Sequence, residues 1–313
     1  MKKILCAFAI IIALVCIFTA CNIAQSPTIS ISDDGYWVIN GEKTDVKAKG
    51  DKGDKGDAAS TNENPQGLAF YLKDDGTYAV EIGYAKYLSK IEIPATYNGK
   101  AVTEVGRFND DNSNTILKEI IIPDSVTTIG DWAFYNCSNL TSVTIGDSVT
   151  TIGNSAFRYC DNLTSITIGD SVTTIGNYAF ESCDHLTSVT IGDSVTTIGE
   201  LAFYNCSNLA SVTIGDSVTT IGISAFESCS NLASVTIGDS VTTIGNSAFR
   251  YCDNLTSITI GDSVTTIGNS AFYGCYDLTD VYYTGSEADW AQISIYTGLT
   301  GATNIHYNYT PQE

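Results

Sequence analysis

Apolar side chains recur at fixed positions every 23 residues between residues 117 and 277. In the unit Leu163–His185, Leu163, Ile166 and Ile168 are separated by small polar residues. The two isoleucines alternate with serine and threonine, which is the period of a strand with one buried face. Because β-branched residues dominate this stretch, it predicts a short β-strand at the start of every unit.

The second half of the same unit carries a different pattern. Gly169-Asp170 predicts a turn, and Val172 and Ile175 point inward again on a second, shorter extended piece. After the next glycine the sequence predicts one helical turn, with Asn177 as its N-cap and Ala179-Phe180 as its buried side.

The unit occurs seven times from Leu117 to Asp277 without an insertion. A fixed period in this range is typical of a solenoid, in which each unit stacks on its neighbours. One unit offers six large apolar side chains, about 9–18 kcal/mol if buried, whereas ordering its backbone costs about 23–46 kcal/mol. A single unit therefore cannot fold alone, and we expect parallel strands about 4.8 Å apart in successive coils.

The flanking segments resemble the repeats less closely. Residues 88–116 echo the repeat and residues 68–87 predict a hairpin, so residues 68–116 are predicted to form an N-terminal cap and a diverged first repeat. A terminal unit needs a different outer face because it has one neighbour only. Residues 117–277 are the seven repeats, and residues 278–313 are predicted to be the C-terminal cap.

The first twenty residues are predicted to be a targeting segment. Lys2 and Lys3 precede the apolar run Ile4–Phe18, which is shorter than a membrane-spanning helix. The run ends in Thr19-Ala20-Cys21, which resembles the bacterial lipobox, with Phe18 in place of the more usual leucine. The resemblance implies residues 1–20 as a lipoprotein signal peptide and lipidation of Cys21. An ordinary secretory signal remains the alternative.

Residues 21–67 are predicted to be a tether. Within it, residues 33–46 predict a small hairpin around Asn40-Gly41, the strongest short turn signal. Residues 50–58 form a Gly-x-y run without proline, which is compatible with a flexible charged linker or with a short trimerising segment.

The repeat L-T-S-V-T-I-G-D-S-V-T-T-I-G-x-x-A-F-x-x-C resembles the BspA-like leucine-rich repeat of bacterial surface proteins. The resemblance covers residues 88–308, and it departs from the family where glycine (Gly146, for instance) replaces the frequent proline. It implies a β-rich leucine-rich-repeat solenoid with a curved parallel β-sheet and short helical turns. It also implies a cell-surface adhesion or binding role, with host matrix proteins among the ligands.

Charge and the distribution of reactive residues narrow the functional class. The net charge of −20 argues against nucleic acid and against direct docking on anionic lipid. The two histidines, His185 and His306, lie near no recognisable nucleophile motif. We therefore expect a non-enzymatic, extracytoplasmic monomer without cofactor or metal, attached to the membrane only through a lipid anchor at the bacterial cell surface.

The repeat cysteines offer three interpretations. Their uniform spacing contains no C-x₂₋₄-C pair for zinc, but adjacent coils would bring them within disulfide range. The alternative is a row of small buried hydrophobic residues, which their inward positions favour. These cysteines are Cys137, Cys160, Cys183, Cys206, Cys229, Cys252 and Cys275.

Two further rows have competing explanations. Aspartates from Asp124 to Asp262 could hold calcium, or each could bond its own backbone at a turn. Outward serine and threonine pairs, such as Ser165 and Thr167, could bind carbohydrate or could simply favour the strand.

The copies differ from one another mainly beside the Ala-Phe pair, where tyrosine, tryptophan and arginine concentrate. These residue types contribute most of the energy at protein interfaces, although drift on a solvated turn would also produce variation. The leading hypothesis is an extracellular protein partner, from a host matrix or another cell surface, with a glycan as the alternative. The predicted partner-binding residues are Trp132, Tyr135, Arg158, Tyr159, Tyr178, Tyr204, Arg250, Tyr251 and Tyr273.

Overall fold

A computed structural model describes residues 29–31, 36–39, 42–47, 66–109, 116–296, 299 and 304–310. The chain divides into two compact units, Met1–Pro65 and Gln66–Glu313. The predicted signal peptide, Cys21 and the Gly-x-y linker lie outside the described residues.

The first unit contains a three-stranded antiparallel sheet. Its strands are Ile29–Ile31, Tyr36–Ile39 and Glu42–Lys47, in that order. The second and third strands flank the Asn-Gly dipeptide of the predicted hairpin, and their register shifts between Tyr36 and Val38. The first strand lies in a stretch for which the sequence predicted no regular structure.

The second unit is a parallel β-solenoid with two strands in most coils, as predicted. One strand of each coil contributes to a sheet that we call the minor sheet, which runs along the whole solenoid. In the repeats each minor strand is a Thr-Ile pair, in register with the Thr-Ile pairs of adjacent coils. The repeat strands are Thr128–Ile129, Thr151–Ile152, Thr174–Ile175, Thr197–Ile198, Thr220–Ile221, Thr243–Ile244 and Thr266–Ile267.

The longer strands form the other β face, which we call the major sheet. It has an N-terminal part of three strands and a C-terminal part of seven. The first part consists of Lys90–Glu92, Glu119–Ile121 and Ser142–Thr144. The second consists of Ser165–Ile168, Ser188–Ile191, Ser211–Ile214, Ser234–Ile237, Ser257–Ile260, Asp280–Tyr283 and Asn304–His306.

The spacing between coils varies along the major sheet. Strand pairing is interrupted between Ser142–Thr144 and Ser165–Ile168. Pairing is also weak between Ser188–Ile191 and Ser211–Ile214, where Ser188 with Ser211 is the single paired position. The glycines that follow these strands show the same variation in the distance between coils. A Cβ on Gly192 would lie 2.5 Å from the carbonyl oxygen of the preceding coil, whereas a Cβ on Gly169 would meet nothing within 4 Å.

Identical side chains stack on one another to build the core. The phenylalanine rings from Phe157 to Phe272 lie parallel, with centroids 5.0–5.4 Å apart. Each repeat cysteine is buried and forms no disulfide bond with another described residue. Its thiol lies within hydrogen-bond distance of the phenylalanine carbonyl of the preceding coil, as for Cys206 and Phe180 at 3.1 Å. This thiol contact explains a cysteine at a position where an apolar residue would also fit.

The third side of each coil consists of consecutive turns and not of the predicted helical turn. Bonds from residue i to i−3, such as Phe180 O accepting from Cys183 N, alternate with bonds to the next coil, such as Phe180 N to Ala202 O. Residues in the left-handed region interrupt any helix. Asn177 does not cap a helix; its side-chain oxygen accepts from the backbone N–H of Glu200 in the next coil.

The ends of the solenoid carry their own elements. At the N-terminal end, Ala69–Leu72 and Tyr78–Glu81 form an antiparallel hairpin, followed by the 3₁₀ helix Gly83–Tyr87. Strand Lys100–Val105 pairs in parallel with Tyr78–Glu81 of that hairpin and with Thr128–Ile129 of the first repeat. The short strand Thr96–Tyr97 pairs antiparallel with Lys100–Val105. At the C-terminal end lie the helix Glu287–Trp290, with a capping box from Ser286, and the edge strand Ser294–Ile295.

Candidate binding surface

Two residues of every repeat adopt left-handed backbone conformations beside the Ala-Phe pair. A side chain with a Cβ is unfavourable there by about 1–2 kcal/mol, so glycine and asparagine are the expected residues. Several coils hold tyrosine, tryptophan or leucine instead. The first position holds Trp132, Ser155, Tyr178, Leu201, Ser224, Ser247 and Ser270, and the second holds Asn136, Tyr159, Ser182, Asn205, Ser228 and Tyr251, all with φ of 54–64°.

Arg158 lies between two of these left-handed tyrosines. Its guanidinium carbon is 4.7 Å from the ring centroid of Tyr159 and 5.3 Å from that of Tyr178. One of its nitrogens, Nη2, donates to the Tyr159 hydroxyl at 3.0 Å and to Oε1 of Glu181 at 2.8 Å. Tyr135 packs edge-on against Tyr159. Burial alone would lower the pKa of Arg158, but the contacts with Glu181 outweigh it and the pKa is raised.

Arg250 builds a second cluster of the same kind four coils further on. Its guanidinium carbon lies 4.5 Å from the ring of Tyr251 and 5.6 Å from that of Tyr273. Nη2 donates to the Tyr251 hydroxyl at 3.0 Å, and Nη1 reaches Oε1 of Glu227 at 3.4 Å. Arg158 pairs with a glutamate one coil ahead, whereas Arg250 pairs with one a coil behind.

Arg107 completes the pattern at the N-terminal end. Its guanidinium carbon lies 5.0 Å from the ring of Trp132, which is left-handed and 44% exposed. The sequence contains three arginines, and each therefore stacks on an aromatic residue in an unfavourable backbone conformation. Strain of this kind persists where the surroundings impose it and is frequent at functional sites.

The position directly after the phenylalanine forms one row across seven coils. In order the row contains tyrosine, arginine, glutamate, tyrosine, glutamate, arginine and tyrosine, so its chemistry reads the same from either end. We call this row and its neighbours the arginine–tyrosine face. Its members are Trp132, Tyr135, Arg158, Tyr159, Tyr178, Glu181, Tyr204, Glu227, Arg250, Tyr251 and Tyr273.

The structure thus gathers the nine residues predicted from sequence variation onto this one side of the solenoid. Sequence reasoning missed Glu181 and Glu227, which hold the arginines, and Arg107, which lies outside the seven repeats. The signal was present, because both glutamates occupy the repeat position of Arg158 one or three coils away.

The two threonine-rich faces use their hydroxyl groups in the same way. On both sheets threonines that directly precede a strand donate to the preceding coil, as Thr196 does to the Thr173 carbonyl and Thr187 to the Thr164 carbonyl, each at 3.1 Å. Within the strands of the major sheet, the outward hydroxyl groups of Ser165, Thr167 and their counterparts up to Ser257 and Thr259 have no hydrogen-bond partner among the described residues. We call this outward surface the hydroxyl face.

Two aspartates of the row, Asp124 and Asp216, bond to the next coil and not to their own turn. The Asp124 carboxylate accepts from the N–H of Asp147 in the next coil at 3.0 Å, and Asp216 accepts from Asp239 at 3.4 Å. These two carboxylates therefore each tie two coils together. Among the residues that the structure describes, no group of three or more potential ligands could hold a metal ion.

No helix in the described part of the chain is both long and apolar enough to cross a lipid bilayer.

Comparison with known proteins identifies relatives of the whole repeat region. The family model "BspA type Leucine rich repeat region (6 copies)" matches residues 103–233 and 173–297, which together exceed half of the chain. No curated protein sequence matches this chain.

Solved structures of bacterial leucine-rich repeat proteins are similar to the chain. The T. pallidum leucine rich repeat protein TpLRR is 26% identical, with a TM-score of 0.52, over 69% of this chain and 90% of that one. A Bacteroides ovatus leucine-rich repeat protein is 26% identical, with a TM-score of 0.42, over 77% and 75%. A leucine rich cell surface protein from Faecalibacterium prausnitzii is 25% identical, with a TM-score of 0.36, over 79% and 100%.

The repeat sequence, the stacked coils and the family match agree, and the expected fold is confirmed: this chain belongs to the BspA type leucine-rich repeat family.

Proposed function

We propose that this protein is a non-enzymatic surface scaffold that binds an extracellular protein through the arginine–tyrosine face. The observation that carries the proposal is the stacking of all three arginines on aromatic residues in left-handed conformations. Tyrosine, tryptophan and arginine are the residue types that dominate interface energetics. Leucine-rich repeat proteins generally bind other proteins, which supports the same function.

The arrangement suits a partner that lies along the solenoid axis. Arg158 and Arg250 are four coils apart, and the coil spacing of 5.0–5.3 Å places the two clusters about 20 Å from each other. Ion pairs and stacking hold both arginine side chains in place before binding. A side chain ordered in advance loses less conformational entropy when a partner arrives.

The proposed presentation uses the N-terminal region. A diacylglyceryl group on Cys21 would anchor the chain, and residues 21–67 would extend the solenoid away from the membrane. Labelling cells with a fatty-acid analogue tests the anchor: a Cys21→Ser variant should lose the label and be released. A variant that keeps both the label and its attachment to cells would contradict the proposed anchor. That result would not bear on the proposed binding surface.

A second candidate function is glycan binding on the hydroxyl face. It is favoured by one observation: each long strand of the major sheet carries two exposed hydroxyl groups, as Ser188 and Thr190 do, without a hydrogen-bond partner among the described residues. Regular hydroxyl groups can exchange their water for the hydroxyls of a sugar polymer.

One experiment separates the two candidates. Purified matrix proteins and a glycan array are probed with the full chain, with Tyr159→Ser plus Tyr251→Ser, and with Thr190→Ala plus Thr213→Ala. Serine already occupies the equivalent left-handed position in Ser182 and Ser228, so the first pair preserves the backbone. We expect the tyrosine pair to weaken binding to a protein by about tenfold or more. Loss of binding in the threonine pair alone would instead assign the binding function to the hydroxyl face.

A further inference from the structure

Resting on the proposed function of this face, we infer that the stretch Glu181, Tyr204 and Glu227 at its centre binds a cationic side chain, lysine or arginine, from a basic segment of the partner protein.

The three residues lie on successive coils in register. Ser182 N donates to Tyr204 O and Asn205 N donates to Glu227 O, both at 2.8 Å, and the phenylalanines beside them stack at 5.0 and 5.1 Å. Tyr204 is therefore flanked by a glutamate one coil away on either side. Each glutamate accepts from an arginine on the side away from Tyr204. An added ammonium or guanidinium group would interact with the ring face and donate to the remaining carboxylate oxygens.

Glu181 carries an incompletely used carboxylate. Its side chain is 9% exposed; Oε1 receives the bond from Arg158 at 2.8 Å, but Oε2 has no hydrogen-bond partner among the described residues. A buried charged acceptor without a donor is unfavourable, and a donor that reaches it restores the lost hydrogen bond. Because Oε2 is covered in the free protein, the incoming cation has to displace a neighbouring side chain of this half-buried row.

Tyr204 differs from four of the other tyrosines on this face. Tyr159, Tyr178, Tyr251 and Tyr273 each have an arginine within 5.6 Å of the ring centroid. No lysine or arginine among the described residues lies over Tyr204, and the arginine–aromatic pattern stops on the coil between the two glutamates. The partner would supply the cation that the neighbouring coils obtain from this chain.

Charge complementarity favours a basic protein segment over other occupants. The whole chain has a net charge of −20, and residues 119–277 contain only two arginines and no lysine, both arginines being paired with glutamate. The exposed Glu200 lies on the same coil as Tyr204 and adds to the negative potential. Clefts of one charge sign raise the local concentration of the opposite charge and speed association.

The test uses the full chain and a short peptide of alternating lysine and glycine, titrated at physiological salt. The control peptide replaces lysine by norleucine, which keeps the length but removes the charge. Tyr204→Phe keeps the ring, Tyr204→Leu removes it, and Glu181→Gln plus Glu227→Gln removes two charges from the face. Asp170→Asn plus Asp193→Asn removes the same charge from exposed turns of the major sheet and serves as the matched control.

We expect the lysine peptide to bind and the norleucine peptide not to bind. Tyr204→Leu and the glutamate pair should each weaken binding about tenfold, while Tyr204→Phe and the aspartate pair change it less than about twofold. Circular dichroism of every variant checks that the solenoid is intact. Equal weakening by the glutamate and aspartate pairs would show charge attraction only and overturn the inference, as would no binding. If Tyr159→Ser plus Tyr251→Ser abolishes capture of a matrix protein while Tyr204→Leu does not, the proposed function stands and this inference fails.

Discussion

A methyl group added at Gly192 tests the close contact between coils on the major sheet. The Cβ of an alanine there would lie 2.5 Å from the carbonyl oxygen and 2.7 Å from the carbonyl carbon of Gly169. Both are backbone atoms, so the contact can be relieved only by separating two coils. Overpacking of this kind typically costs about 1–3 kcal/mol.

Gly169 provides the matched control, because it occupies the same repeat position one coil earlier in the same Ile-Gly-Asp-Ser sequence. A Cβ there meets no atom within 4 Å, since strand pairing to the preceding coil is interrupted at that step. Alanine at an unstrained glycine position restricts the unfolded chain and stabilises a protein by about 0.4–1 kcal/mol.

Urea unfolding followed by circular dichroism measures both variants against the parent chain. We expect Gly192→Ala to lower the free energy of unfolding and Gly169→Ala to leave it unchanged or raise it. In thermal unfolding the change should be about 2–4 °C per kcal/mol for a domain of this size. Equal destabilisation by both substitutions would show that the coils are evenly spaced on this side and would refute the reasoning.

The remaining predictions concern the core and the titrating groups. Alkylation of the native protein followed by mass spectrometry should leave the seven repeat cysteines unmodified, because burial raises the pKa of Cys229 to about 12 and covers the thiol; rapid native labelling would contradict this. Phe203→Leu breaks two ring contacts and should cost about 2–3 kcal/mol in urea unfolding, more than Phe272→Leu at the end of the stack; equal costs would refute the stacking contribution. Burial, then Asp216 and Asp262, raise the pKa of Asp239. The stability from Asp239 is therefore present at low pH and lost as pH rises through its folded-state pKa, so Asp239→Asn should reduce the loss of melting temperature between acidic and neutral pH; an unchanged profile would contradict it.

The repeat pattern of the sequence was sufficient to predict the solenoid and its two strands per coil. Alternation at Ile166 and Ile168 fixed the long strand, and the regular spacing of Phe180 and its equivalents fixed the stacked core. These features follow from the side-chain period alone, and the same pattern occurs in all seven repeats.

Other features depend on contacts between coils that one repeat does not reveal. The predicted helical turn is absent because Tyr178 and Ser182 are left-handed and alternate N–H groups bond to the next coil. Asn177 occupies the position predicted for an N-cap, yet its side-chain oxygen accepts from the backbone N–H of a residue 23 positions later. The interruption of the major sheet before Ser165 has no sequence signal that we can identify, since the flanking repeats are nearly identical.

The candidate surface was only partly predictable for the same reason. Variation among the copies located Arg158 and Arg250, because an otherwise uniform repeat makes departures visible. Their partners lie on the next coil in one case and on the preceding coil in the other, so the pairing with Glu181 and Glu227 depends on the direction in which each side chain extends. In each case the coil on the other side places a tyrosine, Tyr135 or Tyr273, at the same position of the row, so only one neighbouring coil offers a glutamate.

Hydrogen–deuterium exchange on the full chain, with and without a bound matrix protein, tests most directly which side of the solenoid is the binding surface. Peptides covering residues 156–160, 179–183, 202–206 and 248–252 should become protected, while those covering the major strands Ser188–Ile191 and Ser211–Ile214 should not change. Protection confined to those strands would contradict the assignment of function to the arginine–tyrosine face.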